Sequence, residues 1–378
     1  MLYRTVIKPL LFHLPIEQAH RLVVLLLRLL GMIPGGRWLL RKNYSFEEPS
    51  LEREVYGLRF KNPIGLAAGF DVNGDCFEEL EAMGFGFVEI GTITPNAQSG
   101  NPRPRVFRLQ LDNATVNRMG LPNKGLEHVI NRLRKGYQEG IVGCNIGCNS
   151  ETSPELAWKD YLKLFRNLYQ YADYFTVNIN CDNGTNESAA PSTERLMQIL
   201  GPLFDFRRGQ NQYRPILLKI SPDLTNEEVD RMTDIMIDTP LDGLVAVSGT
   251  NHRVGLETSI GSLAKMGSGR LSGCPLAKRA LEVVKRIHER SKGTYPIIGV
   301  GGVMSVEDAK RMLEAGASLI QVYSGFIYSG PGFVGDICRG LVQPTVEEPT
   351  LEEPTVERES VVEAESEPST DVENSQEK

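Results

Sequence analysis

Six residues, Asn178-Ile179-Asn180-Cys181-Asp182-Asn183, follow directly on the apolar run Tyr174-Phe175-Thr176-Val177. An apolar run of β type that ends abruptly in amides, a thiol and a carboxylate reads as a buried strand delivering polar groups to a site. In a barrel of parallel strands, that carboxyl-terminal edge carries the chemistry. A thiol placed there can act as a base through its thiolate, from a reference pKa near about 8.5. Cys181 is therefore the candidate for taking a proton from a substrate. The alternative is a small buried apolar residue with no part in a reaction.

Seven further apolar runs accompany this one: Pro63–Ala68, Phe87–Thr92, Ile141–Ile146, Pro215–Ile220, Gly243–Val247, Pro296–Val300 and Ser318–Tyr323. Amphipathic segments separate most of them, including 225–237, 275–290 and 305–315. Thr225 with Glu228 three residues on forms a capping-box pattern, and Ser305 ahead of Glu307 and Asp308 suits a helix start. Eight β/α repeats predict an α/β fold, a (β/α)8 TIM barrel. No G-x-G-x-x-G opens a helix after the first strand, which disfavours a doubly wound dinucleotide fold. A short hairpin over 55–61, turning at Gly57, would close the barrel bottom.

The strand ends then bring together Ala68-Gly69, Thr92, Asn145, Asn178, Lys219, Ser248, Gly301-Gly302 and Tyr323-Ser324-Gly325. Small residues let a flat ring approach the backbone, amides and hydroxyls give directional hydrogen bonds, and Lys219 adds one positive charge. The ends of strands seven and eight occupy the phosphate position of many barrels. The set outlines a site for a phosphorylated planar cofactor; turn glycines and a structural lysine are the alternative.

Charge divides the chain into three parts. Residues 343–378 hold twelve acids and two bases, so this tail carries −10 while the whole chain carries −7 and the remainder +3. Its repeated PTVEE, PTLEE and PTVER units, poor in aromatics, predict disorder and no chemistry. Residues 1–42 hold seven Lys/Arg and one acid, with Leu22-Val23-Val24-Leu25-Leu26-Leu27 inside a helical pattern. That run is shorter than the roughly 20 residues a bilayer span needs. A two-helix hairpin lying on anionic lipid fits it, as does packing on the body or on a second copy. Residues 43–342 are left for the barrel. The near-neutral body lacks a basic-aromatic strip and so disfavours nucleic acid. The six scattered cysteines suggest reduced thiols in a cytosolic compartment, and their spacing gives no metal site.

KNPIGLAAGFD (61–71), EIGTITP (89–95), GNPRPRVFRL (100–109), NRMG (117–120), NIG (145–147), LLKISPDL (217–224), LSG (271–273), IIGVGG (297–302) and AGASLIQVYSGFIYSGP (315–331) together resemble the quinone-linked, class 2 dihydroorotate dehydrogenases. The resemblance covers about residues 1–340 and includes Ala19-His20-Arg21 in the hairpin. It implies an FMN barrel that oxidises dihydroorotate to orotate in pyrimidine biosynthesis. The enzyme would sit peripherally on the cytoplasmic side of a membrane and pass electrons to quinone. Ala68, Gly69, Thr92, Asn145, Asn178, Lys219, Gly273, Gly302, Tyr323 and Ser324 fall on the family's flavin positions. Asn117, Asn178, Asn183 and Ser248 fall on substrate positions, His20 and Arg108 near the quinone tunnel, and Cys181 on the base that takes the C5 proton.

The resemblance thins on the substrate side. The base is usually Ser in this class, within a pattern like N-x-S-S-P-N-T; here Cys181 is followed by Asp182. The lysine of the family's G-x-D-K-x-G loop is Val72, and an amide of its T-N-T-T segment is Ser248. Flavin-side positions are kept better than pyrimidine-side ones. A different small planar substrate, or a catalytically degraded flavin-binding homologue, therefore stand as alternatives.

Overall fold

The structure, a computed structural model, describes residues 3–135, 139–179 and 191–342. Eight parallel strands close into a barrel: β1 (Ile64–Leu66), β2 (Phe87–Ile93), β3 (Ile141–Ile146), β4 (Tyr174–Asn178), β5 (Ile216–Ile220), β6 (Gly243–Ala246), β7 (Ile297–Val300) and β8 (Leu319–Val322). Each pairs with its sequence neighbours, and β8 returns to β1. All eight coincide with the apolar runs of the sequence. The helices Asn226–Asp238, Ala277–Arg290 and Val306–Glu314 lie where the amphipathic segments place them, and the Thr225/Glu228 capping box is formed.

Side chains on a strand alternate in direction, so residues two apart share a face. The barrel interior is accordingly layered. Phe87, Tyr174, Leu217, Val245, Ile298 and Leu319 form an apolar layer. Two residues further along their strands stand Glu89, Thr176, Lys219 and Gln321, all buried. The bottom is plugged by the hairpin Arg53–Val55/Leu58–Phe60, whose Phe60 is fully buried and packs edge-on to Phe87. A larger apolar cluster fills the space between strands and outer helices.

Two features were not read from the sequence. A three-stranded antiparallel layer, Val106–Leu109, Ala114–Asn117 and Arg270–Gly273, rises beside the barrel. The amino-terminal region has a third α-helix: after α1 (Lys8–His13) and α2 (Ile16–Met32) comes α3 (Gly36–Tyr44), which runs past residue 42.

The hairpin is fastened to the barrel by charge. Arg37 of α3 donates to Glu78 at 2.7 Å and Glu79 at 3.0 Å, both buried on α4 (Phe77–Ala82). Glu17 of α2 accepts from Arg105 and Arg103, each at 2.7 Å. Burial raises the Glu17 carboxyl, but the hydrogen bonds and charges of the two arginines outweigh it and bring the pKa below the ordinary value. A depressed carboxylate contributes stability that is present above its unfolded pKa and is lost as pH falls through the folded one. The melting temperature of the protein is therefore expected to exceed that of Glu17→Gln at neutral pH, with the gap closing below about pH 4. A gap constant down to pH 3 would contradict this anchoring.

Candidate functional site

A cavity of about 960 Å3 opens over the carboxyl-terminal ends of the strands and continues to α2. Its floor is built by strand register. Asn178 at the end of β4 lies opposite Lys219 of β5, and Asn145 of β3 opposite Thr176. Asn178 Nδ2 donates to Thr92 Oγ1 at 3.0 Å, and the Thr92 hydroxyl donates to Asn145 Oδ1 at 2.7 Å. Asn145 Nδ2 then donates to Glu89 Oε1 at 2.8 Å. Tyr161 fixes the strand end by donating to the Asn178 carbonyl at 2.8 Å.

Lys219 is buried on this floor. Burial lowers its pKa and the Glu89 charge opposes the fall. Tyr323 at the end of β8 is pushed up to about 12 by burial and stays neutral. The opposite side is cleared by Ala67, Ala68 and Gly69, with the Gly69 φ at +106°. Gly302 has φ +73°, and a Cβ there would stand 2.3 Å from Ala277 Cα. Gly302→Ala is therefore expected to cost roughly 1–3 kcal/mol of unfolding free energy from backbone strain and to weaken cofactor binding with it. Urea unfolding checks the first, and a titration of the apoprotein checks the second.

Of the residues singled out in the sequence, Ala68, Gly69, Thr92, Asn145, Asn178, Lys219, Gly273, Gly302, Tyr323 and Ser324 all line this one cavity. So do Asn117, Ser248 and His20. Cys181 and Asn183 lie outside the described residues. Arg108 is not part of the wall. Its guanidinium donates to the carbonyls of Leu14 at 2.9 Å, Phe12 at 3.0 Å and Leu11 at 3.3 Å, and so clamps the end of α1. His20 faces the cavity from α2 and bonds the Phe70 carbonyl through Nε2 at 2.7 Å. A carbonyl only accepts, so Nε2 carries the proton. Burial lowers the His20 pKa, which keeps the ring neutral.

Val72, in the position of the family's lysine, lines the same wall, as do Asn73 and Lys124. Lys124 Nζ pairs with Asp75 at 3.0 Å, and Asn73 Oδ1 accepts from the Lys124 amide at 2.9 Å. Asn251 also reaches the cavity. The stretch carrying Leu121 and Pro122 is held by Gln98, whose Nε2 donates to the carbonyls of Gly120 and Leu121, both at 3.1 Å.

Two lining residues carry buried polar atoms without a partner among the described residues: Gln321 Oε1 and Ser324 Oγ. Desolvated polar atoms of this kind are costly unless a ligand or water satisfies them. Together with the glycine-cleared wall and the Lys219 charge, they suit a polar, planar, phosphate-bearing group. Glu89 and Gln321 were missed in the sequence; the available signal was a carboxylate and an amide interrupting otherwise apolar strands.

Comparison with known proteins agrees with this geometry. Residues 50–344 match the family described as dihydroorotate dehydrogenase. A protein of Christiangramia forsetii named dihydroorotate dehydrogenase (quinone) is 42% identical over 342 residues, covering 90% of this chain and 99% of its own length. One of the same name from Nitrosospira multiformis is 42% identical, covering 90% and 96%. Among solved structures, a crystal structure of the DHODH of Eimeria tenella in complex with ferulenol superposes with a TM-score of 0.74 at 31% identity, covering 86% of this chain and 90% of that one.

Proposed function

The chain belongs to the dihydroorotate dehydrogenase family, in its quinone-linked class, and from that premise we propose that it oxidises dihydroorotate to orotate with FMN and passes the electrons to a quinone. The observation that carries this reading is one continuous cavity, in which a polar, glycine-cleared floor over the barrel strands runs on to the hairpin helix α2. The family match and the relatives' names favour dihydroorotate over another planar substrate.

FMN, when bound, supplies the acceptor for the two electrons. Lys219 holds a positive charge on the floor where negative charge develops on reduction. Asn145, Thr92 and Asn178 offer directional hydrogen bonds, and Gly302, Tyr323 and Ser324 line the end suited to the phosphate. Asn117, Asn178, Asn183 and Ser248 hold the pyrimidine, and Cys181 takes the proton from C5. His20, neutral and fixed by Phe70, lines the route by which quinone enters. Purified protein supplied with FMN, dihydroorotate and a short-chain quinone is expected to form orotate. Failure with every quinone tried would contradict the reading.

Peripheral attachment to a membrane belongs to the same proposal. Among the described residues no single helix is long and apolar enough to cross a membrane. On α2, however, Leu22, Leu25, Leu26, Leu29 and Met32 are exposed, with Arg21 and Arg28 beside them. Apolar side chains flanked by arginines suit the headgroup layer of an anionic bilayer. Leu26 and Leu29 lie outside the cavity wall, so Leu26→Glu/Leu29→Glu is expected to lower partitioning onto anionic vesicles at least about tenfold, given about 1.5–3 kcal/mol per buried leucine. Reduction of the flavin by dihydroorotate stays unchanged. Unaltered partitioning in a co-sedimentation assay would remove this surface from the account.

A further inference from the structure

Glu89 sits in the middle of β2 with no exposed surface. A lone carboxylate inside a barrel is costly, and its satisfaction is unusually complete. Oε2 accepts from Gln321 Nε2 at 2.7 Å, from the Thr176 hydroxyl at 2.9 Å and from the Tyr174 hydroxyl at 3.1 Å. Oε1 accepts from Asn145 Nδ2 at 2.8 Å.

An ionised carboxylate can only accept, and this fixes what stands above it. Asn145 must turn its NH2 down to Glu89, which leaves Oδ1 to accept from Thr92. The Thr92 proton is thereby committed, so Thr92 Oγ1 accepts from Asn178 Nδ2. The chain Asn178→Thr92→Asn145→Glu89 has one direction, set from its buried end. We propose that Glu89 is a positioning residue: it orients the floor amides toward the flavin and supplies the negative charge that Lys219 faces.

The second half rests on the layering of the barrel interior, in which Glu89 and Lys219 each stand two residues beyond the apolar layer of Phe87 and Leu217. Lys219 is itself buried, and the Glu89 charge is the influence that opposes the burial-driven fall in its pKa. The other titratable groups that feel Glu89 are Tyr174 of β4, Tyr56 of the bottom hairpin and the Cys144 thiol of β3. All three are pushed up, by burial first and by Glu89 among the charges. Tyr323 at the cavity is pushed up to about 12. The tyrosines therefore stay neutral in the working range, and Lys219 is the floor group whose charge depends on Glu89.

This inference rests on the FMN reading, and its test keeps the two apart. Wild type, Glu89→Gln, Glu89→Asp, Thr92→Val and Lys219→Met are titrated with FMN, and the midpoint potential of the bound flavin is followed against pH. Deprotonation of Lys219 appears as a change of slope that Lys219→Met lacks. In Glu89→Gln that change is expected about one pH unit or more below its position in the wild type, with an FMN Kd about tenfold or more higher. Glu89→Asp keeps the charge and so keeps the change of slope near its wild-type pH, while FMN binds more weakly. Thr92→Val cuts the chain midway and weakens FMN without moving it; this variant carries the first half of the test if Glu89→Gln does not fold. Lower thermal stability with unaltered FMN affinity and an unmoved change of slope in the Glu89 variants would overturn the inference. A wild-type protein that takes up no FMN would instead sink the functional reading itself.

Discussion

Replacing Cys181 with alanine is expected to leave a yellow, FMN-loaded protein that dihydroorotate bleaches at least about a hundredfold more slowly. A positioned general base contributes roughly 10²–10⁴ in rate, and alanine provides no atom to accept the proton. Flavin affinity stays near that of the wild type, because the substitution leaves Asn178, Lys219, Gly302, Tyr323 and Ser324 unaltered in the cavity wall. In the proposed role the thiol works as its thiolate, from a reference pKa near about 8.5. The rate of flavin reduction should therefore rise with pH until the thiol is ionised. Cys181→Ser is expected to retain part of the rate with that rise moved to higher pH. Anaerobic stopped-flow reduction over pH 6–10 reads both. An unchanged rate in Cys181→Ala would assign the proton to another group.

Lys219→Met is expected to have the second large effect, and it differs in kind. Removing the ammonium takes away the positive charge on the cavity floor, worth roughly 10²–10³ in rate where charge develops in a dry site. It also removes the buried positive charge that offsets the Glu89 carboxylate, whose four hydrogen bonds remain. Lys219→Met should thus be less stable, bind FMN more weakly and hold it at a lower midpoint potential, whereas Cys181→Ala changes only the rate. Lys219→Arg should not rescue it, since a planar fork does not fit the place of a compact ammonium at a buried strand position. Wild-type potential and affinity in Lys219→Met would remove the lysine from the flavin site.

What could be read from the sequence follows from the range of the interactions involved. The eight barrel strands were legible because each is a short apolar run bounded by turn residues, and Thr225 with Glu228 marks a helix start through a contact three residues long. The layer of Val106–Leu109, Ala114–Asn117 and Arg270–Gly273 was not. Its strands have four residues each, and Asn117 pairs with Arg270 across most of the barrel. Nothing local encodes that pairing. Ala68, Gly69, Thr92, Asn145, Asn178, Lys219, Ser248, Gly302, Tyr323 and Ser324 meet in one cavity because the position at the end of a barrel strand is itself a local property, whereas His20, Asn117 and Gly273 reach it from α2 and the antiparallel layer and were marked by the resemblance alone. Arg108 shows the opposite case. Its motif is recognisable, but the carbonyls that take up its guanidinium come from residues 11–14 and are visible only in three dimensions. Glu89 reads as an intrusion in an apolar strand; only the register, which stacks it under Asn145 and beside Gln321, turns the intrusion into a designed acceptor.

The most direct test of the account is the first half of the reaction alone. Protein loaded with FMN is made anaerobic and mixed with dihydroorotate, with no quinone present, and its flavin absorbance is followed. The account predicts that the yellow colour bleaches, that one orotate appears per flavin reduced, and that added quinone restores the colour. A protein that binds FMN yet stays yellow with saturating dihydroorotate, while a chemical reductant bleaches it, would contradict the account at its centre.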